Sequence, residues 1–458
     1  MKLITRAWLF GLFTILFVGC SDKKEKQEEV VTFQVPVEYY TLDNGLKVIL
    51  SQDHTSPTAI VAVYYNIGFR IEPKDRTGFA HLFEHMMFQG SKNLGKMEFI
   101  KLVQENGGVL NGSTRFDFTN YFEIFPSHKL ETMLWAESDR MRSLDITQEN
   151  LTNQQGVVKN EVKVNVLNQP YGGFPWLDMP QYANTNWYNA HNFYGDLEDL
   201  DAANLDDVAD FFDTYYAPNN AAIAVVGDFD IAETKAWIEK YFGNIPSAEL
   251  PAMPDISEPR QDAEKRFVKD DPLANRPAMA VAYHMPERNT PEYFAMGLLD
   301  QILVQGNNSL LSQKLEKEKG FTSGVYGGIN YLGNMFNYNG PMIWMYDFKY
   351  DNETSEDEIF EAIDEVMSNL KENLNEEMME NAIVKMRSYL YDEIGGFYGI
   401  GRADLLCTLA LFDDDPSRIN TLEDEFRSVT LEVMQNTIDN YLRKSNRTIL
   451  TINPLMEN

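Results

Sequence analysis

The run HLFEHMMFQGS, His81 to Ser91, sets two imidazoles and a carboxylate among Leu, Phe and Met. On a helix over residues 79–89, His81, Glu84 and His85 fall within an arc of about 100°. Two imidazoles four apart can grip one metal ion from a single helix face. With a carboxylate as third ligand they make a catalytic zinc set that leaves a place for water. Glu84 lies beside the ligands but points slightly off, where it can take a proton from that water. His-x-x-Glu-His reverses the order of the commoner zinc motif. A lone helical histidine is usually a surface or core residue with a hydrogen-bond partner. Three buried polar groups on so apolar a helix are costly unless a metal holds them. The residues therefore predict His81 and His85 as metal ligands and Glu84 as general base. Spacing leaves the third ligand open: Glu123, Glu131, Glu137 and Glu161 all qualify, and Glu161 lies in a helix-like stretch, NQQGVVKNEVKVNVLNQPYGG, with few other acids.

These residues need elements to carry them. YYTLDNGLKVIL reads as strand, Asp-Asn-Gly turn, strand, and TAIVAVYYNIG as a second apolar strand leading into the motif helix. GGVLNGSTRFDFTNYFEIF reads as a hairpin, SHKLETMLWAESDRM as a helix with Ser127 as N-cap, and NNAAIAVVGDFD as a buried strand. Proline and charge without periodicity mark a linker at 247–264, between domains at 36–246 and 265–458. The second half repeats the first weakly. Asn220 and Asn446 are 226 apart in similar contexts, and LFEHMMFQGSK matches LLDQILVQGNN at an offset of 216. The copy has Gly297, Asp300 and Gln301 where the first has His81, Glu84 and His85, so it is not a second metal site. The expected fold is α+β: two homologous α/β-sandwich domains, each an antiparallel-rich sheet packed with helices, related by duplication and preceded by a lipoprotein signal.

Composition supports this frame. A chain of 458 residues, 44% hydrophobic and 12% aromatic, has ample material for two cores. Lys2 and Arg6 precede an apolar run, Ala7 to Val18, of secretory length; Gly19-Cys20 follows, then polar residues. That pattern reads as a signal peptide over 1–19, Cys20 as the lipidated first residue, and a flexible tether over 20–35. It predicts an exported bacterial lipoprotein of the cell envelope, periplasm-facing or on the outer-membrane surface. Beyond it only Cys407 carries a thiol, so no intramolecular disulfide is available. The chain has a net charge of -31, or -33 once the signal is removed, which argues against nucleic acid as a partner. Such charge permits attraction of cationic peptides, although a soluble acidic surface is the plainer reading. GGFYGIG at 395 lacks the Gly-Lys-Ser/Thr of a phosphate loop and reads as a bend between helices. His54, His128, His191 and His284 read as structural or exposed, and the acidic run Asp351 to Glu365 as one solvated helix face.

From about residue 38 onward the chain resembles the pitrilysin and insulysin family of zinc metallopeptidases, in the style of the short forms that include mitochondrial processing peptidase. The motifs that carry the resemblance are HLFEHMMF, GGVLNGSTRFDFTNYFE, VVKNEV, NQPYG and YYAPNNAAIAVVGD. It implies Zn²⁺ as cofactor, and Glu161, 76 positions past His85, as the third ligand. It also implies that a peptide substrate pairs with an edge strand at Asn111, Gly112, Ser113 and Thr114. Two departures stand out. Gln154 replaces an accessory glutamate seven before Glu161. Where self-sufficient members carry a substrate-binding arginine and tyrosine around a glycine, here Gly320, this chain has Glu316 and Ser323; Tyr326 takes the tyrosine's place only if the loop slips. The resemblance therefore implies the metal-bearing member of a pair, with a homologous partner that lacks the zinc motif and supplies Arg and Tyr. The alternatives are a non-catalytic scaffold or a zinc-bound subunit that captures peptides without cutting them.

Overall fold

The computed structural model describes residues 33–396 and 399–455. The signal read over 1–19, Cys20 and most of the tether lie outside the described residues. The first sheet contains β1 (Glu38–Thr41), β2 (Lys47–Gln52), β3 (Thr58–Tyr65), β4 (Val109–Thr114), β5 (Thr119–Pro126) and β6 (Ala221–Gly227), in the order β1-β2-β6-β3-β5-β4. The second contains β7 (Lys265–Asp271), β8 (Ala278–His284), β9 (Tyr326–Ile329), β10 (Ile343–Lys349) and β11 (Arg447–Pro454), in the order β7-β11-β8-β10-β9. Central strands such as β3, TAIVAVYY, are β-branched and aromatic and buried on both faces, as a covered sheet requires.

The internal repeat has a physical counterpart. In each sheet one parallel pair, β2 with β6 or β7 with β11, accompanies otherwise antiparallel neighbours. A short 3-10 turn precedes β6 and β11, and ends on Asn220 or Asn446. Asn220 Nδ2 donates to the Tyr215 carbonyl at 2.9 Å, and Asn446 Nδ2 to the Tyr441 carbonyl at 2.7 Å. The two asparagines thus close the same helix-to-strand corner.

The first half keeps an apolar cluster of its own, from Leu42 to Ile245, whereas the largest cluster among the described residues crosses between the halves. It joins Ile49, Ile60 and Ala62 of the first sheet to Met279, Val281, Leu405 and Leu406. The halves also exchange helices. Helix Ile400–Asp413, late in the chain, lies on β2, β3 and β6, where Tyr64 donates to Asp404 at 2.8 Å. Helix Asp178–Ala183, from the first half, lies on β8 and β11, packing Met179 and Ala183 against Ala278, Ala280 and Leu450. A buried latch adds to this: the Arg70 guanidinium pairs with Asp117 at 2.6 Å and donates to the Pro341 carbonyl, while Asp117 accepts from the Asn339 N–H at 2.8 Å. From Val35 onward the chain is therefore one compact unit. Residues 246–264 carry no regular structure but are tied down, with Glu258 accepting from the Asn186 N–H and Asn189 Nδ2.

Two local expectations are corrected. The motif helix spans Phe79–Met86 and stops short of residue 89, because Phe88 and Gln89 bond back three residues in a tightening turn. Ser127 caps nothing: it opens a 3-10 turn and its hydroxyl donates to Asp228 at 3.0 Å, while the long helix begins at Leu130.

Candidate metal centre

The motif helix is only eight residues long, and its start is held from outside. Glu72, fully buried, accepts from the Gly78 N–H at 2.9 Å and the Ala80 N–H at 2.5 Å, taking up two of the free donors at the helix N-terminus. Gly78 adopts a left-handed φ of 82°, and a Cβ there would lie 2.5 Å from the Tyr194 carbonyl. That close approach brings the segment ending in Tyr194 against the helix.

The third ligand candidates now separate. Glu123 and Glu137 are buried with Arg140 between them, and Glu131 lies on the surface with Lys240 and Tyr241. Glu161 lies on helix Gln148–Val162, which starts on Thr147 as N-cap and buries Leu151, Gln154 and Val158. Glu161 Oε2 stands 3.3 Å from His85 Nε2 and 3.7 Å from His81 Nε2, and the two Nε2 atoms are 3.3 Å apart. A tetrahedral zinc with ligands at 2.0–2.1 Å requires ligand atoms about 3.3 Å from one another. His81, His85 and Glu161 fit that requirement, and among the described residues they are the group so arranged for a metal. Burial, then the neighbouring His85, pull His81 down to about 4, so its ring is neutral at pH 7 with a lone pair to offer. The hydrogen bond with His85, aided by one from Tyr194, holds Glu161 below the ordinary carboxylate range against the opposing effect of burial.

Glu84 sits on the same helix face but is engaged elsewhere. Its Oε2 accepts from the Thr114 hydroxyl at 2.8 Å. Burial pushes its carboxyl up, while Thr114 and His85 pull against that. Among the described strands of its sheet, β4 is outermost, paired only with β5. The Arg115 N–H bonds the Phe118 carbonyl at 2.8 Å, so the alternation of an antiparallel ladder turns the main-chain groups of Gly112 and Thr114 toward the open edge. Asn111 Oδ1 currently accepts from the Gly112 N–H at 2.9 Å, and Ser113 donates to Asn120. Of the four expected substrate residues, Gly112 and Thr114 thus present their main-chain groups to the open edge and Asn111 and Ser113 turn theirs to β5, while the Thr114 side chain serves Glu84.

Several residues near the site escaped the reading of motifs. Tyr194 donates to Glu161 Oε1 at 3.3 Å, and its ring stands edge-on to His81 at 5.2 Å. The signal was HNFYG at 191–195, not NQPYG: Tyr171 of the latter bonds Asp271 and Arg276, far along the chain. His191 is structural, stacked on Trp187 and bonded to the Phe69 carbonyl at 2.6 Å. His284 bonds the Ala183 carbonyl, His54 pairs with Asp228, and His128 is exposed. In the second half, Glu316 pairs with Lys317 on a helical turn, and Tyr326 is 70% exposed at the start of β9. Gly297, Asp300 and Gln301 lie on helix Pro291–Leu303, buried, with Asp300 accepting from Trp344 Nε1 at 2.7 Å.

Two imidazoles and a carboxylate set for one ion, beside a second carboxylate at a strand edge, make a candidate site for a single metal ion with the inverted order of motif residues. The chain belongs to the insulinase family, peptidase family M16: that family's profile matches residues 47–186, and the profile described as the peptidase M16 inactive domain matches residues 202–386. Among relatives, it is 28% identical to the zinc protease PqqE of Helicobacter pylori over 71% of this chain and 73% of that one. It is 26% identical to the beta subunit of the bovine (Bos taurus) mitochondrial-processing peptidase over 53% of this chain and 49% of that one. Its fold is similar to the crystal structure of a protease from Helicobacter pylori, with a TM-score of 0.83 at 23% identity, covering 92% of this chain and all of that one. The periplasmic protease PqqL of Escherichia coli matches with a TM-score of 0.73 at 16% identity, over 92% of this chain but 48% of PqqL.

Proposed function

We propose that this protein is a zinc metalloendopeptidase that hydrolyses extended, unfolded peptides, and that it is the metal-bearing subunit of a two-subunit enzyme. The observation that carries the reading is the triangle of His81 Nε2, His85 Nε2 and Glu161 Oε2 with Glu84 beside it. Zinc, when bound, supplies Lewis-acid polarisation of the scissile carbonyl and acidifies water. Glu84 takes the proton of the attacking water and passes it to the leaving amine nitrogen. Thr114 orients the Glu84 carboxylate for both transfers, and Tyr194 does the same for Glu161. The substrate main chain pairs with Gly112 and Thr114 along the open edge of β4, which favours peptides already free of structure.

Support for a partner comes from the second half, where Glu316 and Ser323 stand in place of an arginine and a tyrosine, and from the coverage of PqqL, a chain about twice this length. The partner we propose is a homologue without His-x-x-Glu-His that supplies both side chains. The amino-terminal sequence supports export and membrane attachment through Cys20; Cys20→Ser should release the protein from the membrane fraction. Purified protein should hold about one zinc per chain. It should cut unstructured peptides poorly alone and well with the partner. Absence of zinc from protein purified without chelators would favour the scaffold reading, and full activity alone would remove the partner.

A further inference from the structure

The turn after β4 carries a cation that forms no ion pair with any described carboxylate. Arg115 follows Thr114 directly, and its backbone is tied on both sides: the N–H bonds Phe118, and the carbonyl accepts from the Phe69 N–H at 3.1 Å. Side chains alternate along a strand. Thr114 faces the motif helix, so Ser113 and Arg115 face the other way, and Arg115 Nε donates to Ser113 Oγ at 3.1 Å. The side chain is half-buried. Among the described arginines, Arg115 and Arg142 alone have no described carboxylate within 4.0 Å; every other one is paired. Arg142 is at the exposed end of its helix and donates to the Tyr241 carbonyl. Arg115 instead lies close enough to Glu84 and Asp404 for its charge to draw both carboxyls down, yet neither is its partner.

A partly desolvated guanidinium without a direct ion pair is expensive in a chain with 70 acidic residues to choose from. Its planar fork is shaped for a carboxylate. The open edge of β4 leads to it. A peptide paired with Gly112 and Thr114 advances roughly 3.3 Å per residue, so a side chain within about two or three residues of the bond facing Glu84 reaches Arg115. We propose that Arg115 forms a carboxylate subsite, selecting peptides that carry an acidic side chain, or their own C-terminal carboxylate, beside the bond to be cut. The inference rests on the peptidase reading. It also opposes what net charge alone favours, since an acidic chain as a whole attracts cationic peptides.

The test uses the full chain, zinc-loaded and carrying Glu84→Gln so that bound peptides stay intact. Fluorescence anisotropy is read with unstructured peptides identical except for Glu, Gln or Lys at one central position, each as free acid and as amide. The Glu peptide, or the free acid over the amide, should bind about tenfold tighter than its neutral counterpart. Which of the two comparisons shows the difference identifies the source of the carboxylate. Arg115→Ser should abolish the preference, and Arg115→Lys, which keeps the charge and controls for folding, should retain part of it. Equal binding across all peptides, or a preference that survives Arg115→Ser, overturns the subsite while leaving the peptidase reading intact. If no peptide binds to the chain either alone or with its partner present, the peptidase reading fails and takes the subsite with it.

Discussion

Helix Phe79–Met86 and helix Pro291–Leu303 stand in corresponding places beside two sheets of matching strand order, yet they have opposite fates. The first keeps polar groups half-open toward a strand edge: His85 and Glu161 are only partly covered. The second has sealed the same face. A Cβ on Gly297 would lie 2.8 Å from Met335 Cε and 3.0 Å from Phe426, so hydrophobic side chains fill the space a ligand histidine needs. Asp300 is buried, satisfied by Trp344, and pushed up by burial to about 7. The lesson is that a polar helix face persists in one of two ways: something outside the chain holds it together, or the protein satisfies it internally.

This contrast can be broken at either helix. The largest effect expected is at the ligands: Glu161→Ala or His85→Ala should reduce zinc from about one per chain to nearly none by metal analysis, while Asp300→Asn leaves the content unchanged. Next, Glu84→Gln should keep its zinc and lower kcat about 10³-fold, whereas Asp300→Asn should hydrolyse peptides as the parent does.

Asp300 gives the third prediction. Its folded pKa lies above the unfolded one, so its contribution to stability is full below the unfolded value of 3.8 and is lost as pH climbs through 7. Asp300→Asn retains an acceptor for Trp344 without the titration. Relative to the parent it should gain on the order of 2–4 kcal/mol between pH 4 and pH 8 in denaturant unfolding. Glu72→Gln, which weakens the outside cap of the motif helix, should cost about 1–2 kcal/mol and weaken zinc binding in a competition assay, because the ligands lose their firm base. The smallest effect is expected at Thr114→Val: zinc unchanged, kcat lower by about tenfold as Glu84 loses its orienting hydroxyl.

Much of this site was legible in the sequence because its core obeys local geometry. His81, Glu84 and His85 share one turn, and helical spacing alone unites them. Alternation and turn chemistry similarly marked β3, the β4–β5 hairpin and β6. Glu161 was different. Spacing left it level with Glu123, Glu131 and Glu137, and only resemblance preferred it, since nothing local says which distant carboxylate returns to the helix. Glu72, Tyr194 and the turn of Thr114 toward Glu84 were hidden for the same reason: each depends on a backbone approach between distant segments, such as Gly78 against Tyr194. Ser127 misled because a favourable capping residue was diverted by a neighbour, Asp228, about a hundred positions away. The crossing core was invisible in composition, which counts apolar residues without saying which partners they choose.

The reciprocal roofing of each sheet by a helix of the opposite half has a practical consequence. Scission of the connecting peptide between 247 and 264 should leave two fragments clasped together, co-eluting on size exclusion at the size of the intact chain. Two halves that cover one another in this way form a single object that cannot be pulled apart along the line of its repeat.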